Sequence, residues 1–175
     1  GAYSCFPYID RGGHFRRGKL VRYDRDSGKR LRGSFDTSSI VKILRLKENF
    51  VYDQAFFGEH LLDGRPELPI TIVESEKTAI VASICEADRP KAIWLAAGSL
   101  TWLSADRILR LGRDRTVVLY PDSDIRGRCY TKWGQIALEA TKLGLTVVTS
   151  SLLEKVTTEA ETVQYSLVPR VTNWL

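Results

Sequence analysis

Cysteine and histidine are scarce in this chain, and neither stands where a metal centre would need it. The three cysteines, Cys5, Cys85 and Cys129, make no CxxC pair, and the two histidines, His14 and His60, have no partner at ligand spacing. A zinc site within the chain and a disulfide framework are both excluded. The thiols read as ordinary buried or surface groups, although Cys5 stands near enough to the start to be the remnant of an upstream metal-binding module. Long apolar runs are missing too. The longest unbroken stretches, such as IWLAAG at 93–98, are far shorter than the roughly 20 residues of a membrane span, so no membrane partner is expected. The opening GAYSCF lacks a basic segment followed by an apolar one, so no signal peptide is read and a cytoplasmic location is the default. The absence of repeats and low-complexity tracts excludes a solenoid.

The net charge of +5 is unevenly placed. Residues 1–65 hold 13 Lys/Arg against 8 Asp/Glu, whereas residues 66–175 hold 13 of each, so all the excess lies in the first third. There Arg11, Arg16, Arg17, Lys19, Arg22, Arg25, Lys29, Arg30 and Arg32 face only Asp24 and Asp26 within the same run. A basic run by itself is often a solvated strand face; it is also the footprint a polyanion requires.

Periodicity and punctuation divide the chain into a region at 1–65, an α/β region at 66–151 and a tail at 152–175. In the first, FPYID, GG, HFRRGKLVRYD and the turn RDSGKR read as antiparallel hairpins, with Leu20, Arg22 and Asp24 alternating against Val21 and Tyr23. The run VKILRLKENF at 41–50 fits a strand or a helix equally. LLDGRPELP at 61–69, with its Gly and two Pro, is the connector. Beyond it, strands are expected at 70–74, 91–98, 116–124 and 145–151. Helices are expected at 75–87, 104–112 and 128–144, the last closed by a glycine. Strand and helix alternating through short links predict a mostly parallel sheet of about four strands flanked by helices. The tail offers only a short helix around LLEKVTTEAE.

In such a sheet, functional groups gather outside the carboxyl ends of the strands. Glu74 ends the first strand of the α/β region, and Asp122 and Asp124 follow the third. If those two strands are neighbours, the three carboxylates share one crevice. Three anions held together repel, and without a cation at least one is pushed toward protonation. Mg²⁺ removes that conflict, because it accepts one or two carboxylates and completes its shell with waters and substrate phosphates. Asp-x-Asp puts both side chains on one side of an extended segment. Standing alone it is ordinary turn chemistry, and a lone Glu at a helix start is a dipole partner. The argument rests on the combined placement.

A strand ending in Glu, followed two strands later by an apolar strand that runs into DSDIRGR (122–128), resembles the Toprim domain of bacterial-type DNA primases, topoisomerases and certain nucleases. The middle strand ending in WLAAGSL (94–100) is similar to that family's middle element. IVESEKTA (72–79) resembles the first motif of primase-like Toprim proteins of phages and mobile elements, with Ser75 where those proteins commonly have glycine. The basic segment from IDRGG to KRLRG and the run FGEHLL (57–62) are similar to the lead-in of that group.

The resemblance implies a Toprim-like (Rossmann-like) α/β fold preceded by a small antiparallel β-rich subdomain. It implies Glu74 as general acid/base or metal-shell residue, Asp122 and Asp124 as ligands of Mg²⁺ or Mn²⁺, and Lys77, Arg126 and Arg128 as phosphate contacts. Gly98 and Ser99 would line the crevice. Arg16, Arg17, Lys19 and Arg22 would meet nucleic acid. The implied activity is that of a DNA primase, a nucleotidyltransferase of DNA replication, or its catalytic fragment. Its partners would be single-stranded DNA template, nucleotides, and a helicase or other replication protein. Phosphodiester cleavage by a Toprim nuclease, and DNA binding without catalysis, are the alternatives. Trp94, Trp102 and Trp133 are expected to pack around the sheet. Tyr120 and Tyr130 are not read as topoisomerase-type nucleophiles, since that residue comes from a separate domain in the family and this chain has no room for one.

Overall fold

Short apolar runs, each followed by a helix, set the architecture of the computed structural model, which describes residues 3–31, 40, 45, 50–124 and 126–156. The chain divides into two units, Gly1–His60 and Leu61–Leu175. The ambiguous run at 41–50 lies, apart from Arg45 and Phe50, outside the described residues. So do Arg32 and the tail beyond Val156.

In the first unit, strands β1 (Ser4–Ile9) and β2 (Phe15–Val21) pair antiparallel, from Ser4 opposite Val21 to Tyr8 opposite Arg17, with an irregularity between Tyr8 and Ile9. Period-two alternation sends Phe6, Tyr8, Arg17 and Val21 to one face, where all four are buried. Phe57 packs edge-on against Phe6 and Tyr8 there, with ring centroids 5.9 and 5.8 Å away. The connecting turn is drawn together by Asp10, which accepts hydrogen bonds from the His14 amide (2.9 Å) and Arg16 Nε (2.6 Å). Gly13, at φ 79°, supplies the left-handed step. A second turn follows, in which Asp24 accepts from the amide and hydroxyl of Ser27, and an isolated bridge joins Tyr23 to Arg30.

A 3₁₀ turn, Glu59–Gly64, leads into β3 (Ile70–Val73), α1 (Glu76–Cys85), β4 (Ile93–Ala96), α2 (Ala105–Leu109), β5 (Val117–Tyr120), α3 (Arg128–Lys142), β6 (Val147–Thr149) and α4 (Leu152–Val156). Ser75 and Ser104 cap α1 and α2, each accepting from the backbone N–H three residues on. Beyond α3, Gly144 takes φ 84° and the Leu145 N–H returns to the Ala140 carbonyl at 3.2 Å. The four strands are parallel in the order β4-β3-β5-β6. All four residues of β3 are buried, as a central parallel strand covered on both faces requires. No helix among the described residues is long and apolar enough to cross a membrane.

The strand order positions the site. The chain steps from β3 to β4 in one direction, then returns past β3 to β5 and on to β6. Right-handed crossovers therefore put α1 on one face and α2 and α3 on the other, in keeping with the packing of α2 against α3. The reversal lies between β3 and β5, and the crevice of an open sheet opens at the carboxyl ends of the two strands that flank such a reversal. Arg115 fixes the start of β5. Its guanidinium donates to the Leu62, Arg65 and Leu68 carbonyls of the connector.

Candidate functional site

Glu74 and Asp122 flank that reversal. β3 and β5 run in register, Val73 beside Tyr120, so Glu74 is the first residue past one strand and Asp122 the second past the other. The backbone ladder continues beyond β4: the Ala97 N–H reaches the Val73 carbonyl and the Gly98 N–H reaches the Glu74 carbonyl, each at 2.9 Å. Gly98 is buried at φ 93°, a conformation that strains any residue with a Cβ. It thus holds the backbone of Glu74 from the third strand end. Ser99 follows it and shares a 3.3 Å hydroxyl contact with Thr101. The serine at position 75 has a job here that glycine could not do, since its hydroxyl caps α1 and contacts the Thr78 hydroxyl at 2.8 Å.

The electrostatics separate the two aspartates. Burial, and then the neighbouring Glu74 carboxylate, push the Asp122 carboxyl up to about 7. Asp124 goes the other way. Its burial is outweighed by hydrogen bonds from the Cys129 amide (2.7 Å) and thiol, the Arg126 amide (3.0 Å) and Arg128 Nε (3.3 Å), which bring it to about 2. Asp124 thus ties down the loop ahead of α3, which turns at Gly127 (φ 60°). The Cys129 thiol is pushed up to about 12, by burial, by its bond to Asp124, and by the charges of Asp124, Glu74 and Asp122. All three acids therefore act on one point. Sequence reasoning read Cys129 only as an ordinary thiol, although it follows DSDIRGR directly.

Two carboxylates of which one is held near neutrality suit a hard divalent cation, whose charge would relieve both the burial and the repulsion. The Glu74–Asp122 pair fits such an ion. Among the described residues no group of three His, Cys, Asp or Glu side chains stands ready to hold a metal, which agrees with Asp124 being engaged by the loop. Four donors already meet the Asp124 carboxylate, which has about four lone-pair sites, so Asp124 could join a cation only by giving up part of its hold on the loop.

The basic candidates are scattered. Lys77 is half-buried in the first turn of α1, and Arg126 and Arg128 are exposed. In the hairpin unit Arg16 is paired with Asp10, and Lys19 and Arg22 are half-buried. Arg17 differs from the expected surface cation. It is 1% exposed, with its guanidinium 3.8 Å over the Tyr8 ring, because the register puts it on the buried face of the ribbon. Trp133 is fully buried and Trp94 donates to Glu86 at 3.0 Å, so both pack around the sheet.

Solved structures of primases share this architecture. The DnaG primase catalytic domain bound to ssDNA superposes with a TM-score of 0.57 at 16% identity, over 90% of this chain and 50% of that one. The E. coli primase catalytic core gives 0.56 at 18% identity, over 93% and 52%. A chain from the bacteriophage T7 lagging-strand DNA polymerase assembly, with primase domains of two gp4 subunits bound to an RNA/DNA hybrid and dTTP, gives 0.53 at 18% identity, over 85% and 64%. The four-stranded parallel sheet with its separate two-stranded antiparallel sheet is thus the fold of primase catalytic cores, and the chain spans about half the length of the DnaG and E. coli chains. No curated protein matches it. One family model does, over residues 2–123, taking in the hairpin unit, Glu74 and Asp122, and on that match the chain belongs to the family described as Domain of unknown function (DUF6371).

Proposed function

We propose that this chain carries a Toprim-type phosphoryl-transfer site, dependent on Mg²⁺ or Mn²⁺, that extends nucleic acid in the manner of a DNA primase. The observation that carries the reading is the Glu74–Asp122 pair at the reversal between β3 and β5, with Asp122 raised to about 7. Two half-buried acids that repel one another are costly to keep together unless a cation completes them. The fold shared with primase catalytic cores, one of them solved with ssDNA, supports the substrate class.

Glu74 and Asp122 would hold the cation, and Asp124 would join them by giving up part of its hold on the loop. Such an ion supplies charge neutralisation at the phosphate and lowers the pKa of a coordinated hydroxyl. The protein's part is positioning. Glu74, fixed through its backbone by Gly98, would accept the proton of the attacking 3′-hydroxyl as its oxygen bonds to the α-phosphorus of the incoming nucleotide and pyrophosphate leaves. Lys77 at the start of α1, and Arg126 and Arg128 on the Asp124 loop, meet the phosphates of the incoming nucleotide, where fixed positive charge offsets the charge that spreads over the transferred group. In the hairpin unit, Arg16, Lys19 and Arg22 contact the single-stranded template. A helicase or other replication protein fits this reading as a partner.

The test is incubation of the chain with single-stranded template, nucleoside triphosphates and Mg²⁺, beside the Asp122→Ala variant. New oligonucleotides made by the wild type alone support synthesis. Shortened template lost in the variant makes the site a nuclease. Equal results from both proteins remove the metal-site reading and leave a binding module.

A further inference from the structure

The two-stranded ribbon of the first unit has a second face. Alternation places Tyr3, Cys5 and Pro7 on it, opposite the face that buries Phe6 and Tyr8, and the register brings Leu20 and Arg22 to the same side. Cys5 and Pro7 are exposed, Tyr3 is 40% exposed, and Leu20 and Arg22 are half-buried, whereas Gly18, opposite Pro7 on the same side, is buried beside the Ile40 and Phe15 side chains. Arg22 stands 5.6 Å from the Tyr3 ring centroid, in cation–π range. Its backbone is fixed on the other side, where its carbonyl accepts from the Leu31 N–H at 2.8 Å. The face therefore offers a pre-placed guanidinium, an aromatic ring in contact with it, and no carboxylate among the residues named on it.

We infer that Tyr3 and Arg22 form a base-stacking platform for single-stranded nucleic acid at the exposed end of the second face of the β1–β2 ribbon. This rests on the nucleic-acid reading above and adds to it a specific site and a preference for unpaired bases. Every base has a π-face, so stacking on tyrosine tolerates any sequence but requires bases that are free of a partner strand. Arg22 serves twice. It holds the ring in place, and its charge meets the backbone phosphate. A purely electrostatic surface would need no exposed ring and would bind duplex as readily as single strands.

The experiment is a salt titration of binding to a fluorescently labelled single strand of mixed sequence, by anisotropy, with the full chain. A matching duplex is run in parallel. Tyr3→Ala is expected to weaken single-strand binding about tenfold without changing the slope of log K against log salt, and Tyr3→Phe to bind as wild type. Arg22→Ala is expected to weaken binding and to reduce the slope by about 0.7. Tyr52, which is 48% exposed but lies outside the ribbon, is the control, and Tyr52→Ala should bind as wild type. The platform is refuted if Tyr3→Ala binds normally, if Tyr3→Phe fails as badly as Tyr3→Ala, or if duplex binding falls by the same factor. Should the wild type itself show no salt-dependent binding to single strands, the nucleic-acid reading fails along with the platform. Normal wild-type binding with a silent Tyr3→Ala removes the platform alone.

Discussion

Replacing Asp122 with asparagine removes the charge but keeps the shape, and in chelator the variant should be the more stable protein at alkaline pH. The unperturbed carboxyl lies at 3.8 and the folded one at about 7, so the folded chain binds this proton more tightly than the unfolded chain. Stability from this group is then fully present below about pH 4, declines as the pH rises through 7, and is gone above it. At about 1.4 kcal/mol per unit, the full interval is worth about 4 kcal/mol. Asp122 keeps part of its surface in water, and we take about half, roughly 2 kcal/mol. About two-thirds of that, roughly 1.3 kcal/mol, is lost between pH 5 and pH 8.5, which in a chain of this size corresponds to a midpoint difference of about 3–5 °C. The assay is thermal unfolding followed by circular dichroism in EDTA at pH 5 and pH 8.5. Wild type should lose stability relative to Asp122→Asn between the two, and Mg²⁺ at pH 8.5 should raise the wild type alone. If the two proteins keep a constant difference across that range, Asp122 is not held near neutrality and the case for a cation loses its main support.

Three further outcomes follow from other groups. Asp124→Asn should cost about 1–2 kcal/mol in denaturant unfolding, because it weakens the hold on the Cys129, Arg126 and Arg128 donors; no loss would mean the loop is held by something else. With a disulfide reagent at pH 8, the exposed Cys5 and Cys85 should react rapidly and Cys129, pushed up to about 12, slowly; three equal rates would show that the thiol does not face the acids. Asp10 is held at about 2, its burial outweighed by the His14 amide and by Arg16. A depressed carboxyl contributes stability above its unfolded pKa that is lost as the pH falls through the folded one. Asp10→Asn should therefore be less stable than wild type at pH 7 and indistinguishable near pH 2, as read from urea midpoints.

The parallel-sheet region was legible because its signals are local. Each apolar run ends at a polar turn, Ser75 and Ser104 announce their helices, and Gly144 marks the end of the longest one. That β3 and β5 are neighbours was only a condition in the sequence, since strand order is a long-range property no local pattern encodes; the structure supplies it. The opposite environments of Asp122 and Asp124 were hidden for a related reason. Two residues apart in an extended segment look equivalent, but one is half-buried beside Glu74 and the other meets the donors that lead into α3. Arg17 was misplaced because its burial depends on which tyrosine lies across the ribbon, and a one-residue slip in register would have turned it outward.

The clamp that Arg115 makes on the connector has a practical bearing on how this protein can be taken apart. Leu62, Arg65 and Leu68 look from their sequence like a free hinge, rich in proline and glycine, and a natural place to cut. Yet their carbonyls are what saturates a half-buried guanidinium at the base of a central strand. A piece begun at Pro69 would take these three acceptors from that cation and so start from a weakened sheet, whereas one begun before Leu62 would carry them along. Proteases should find the same stretch slow to digest despite its composition, for the peptide bonds there are pinned from below.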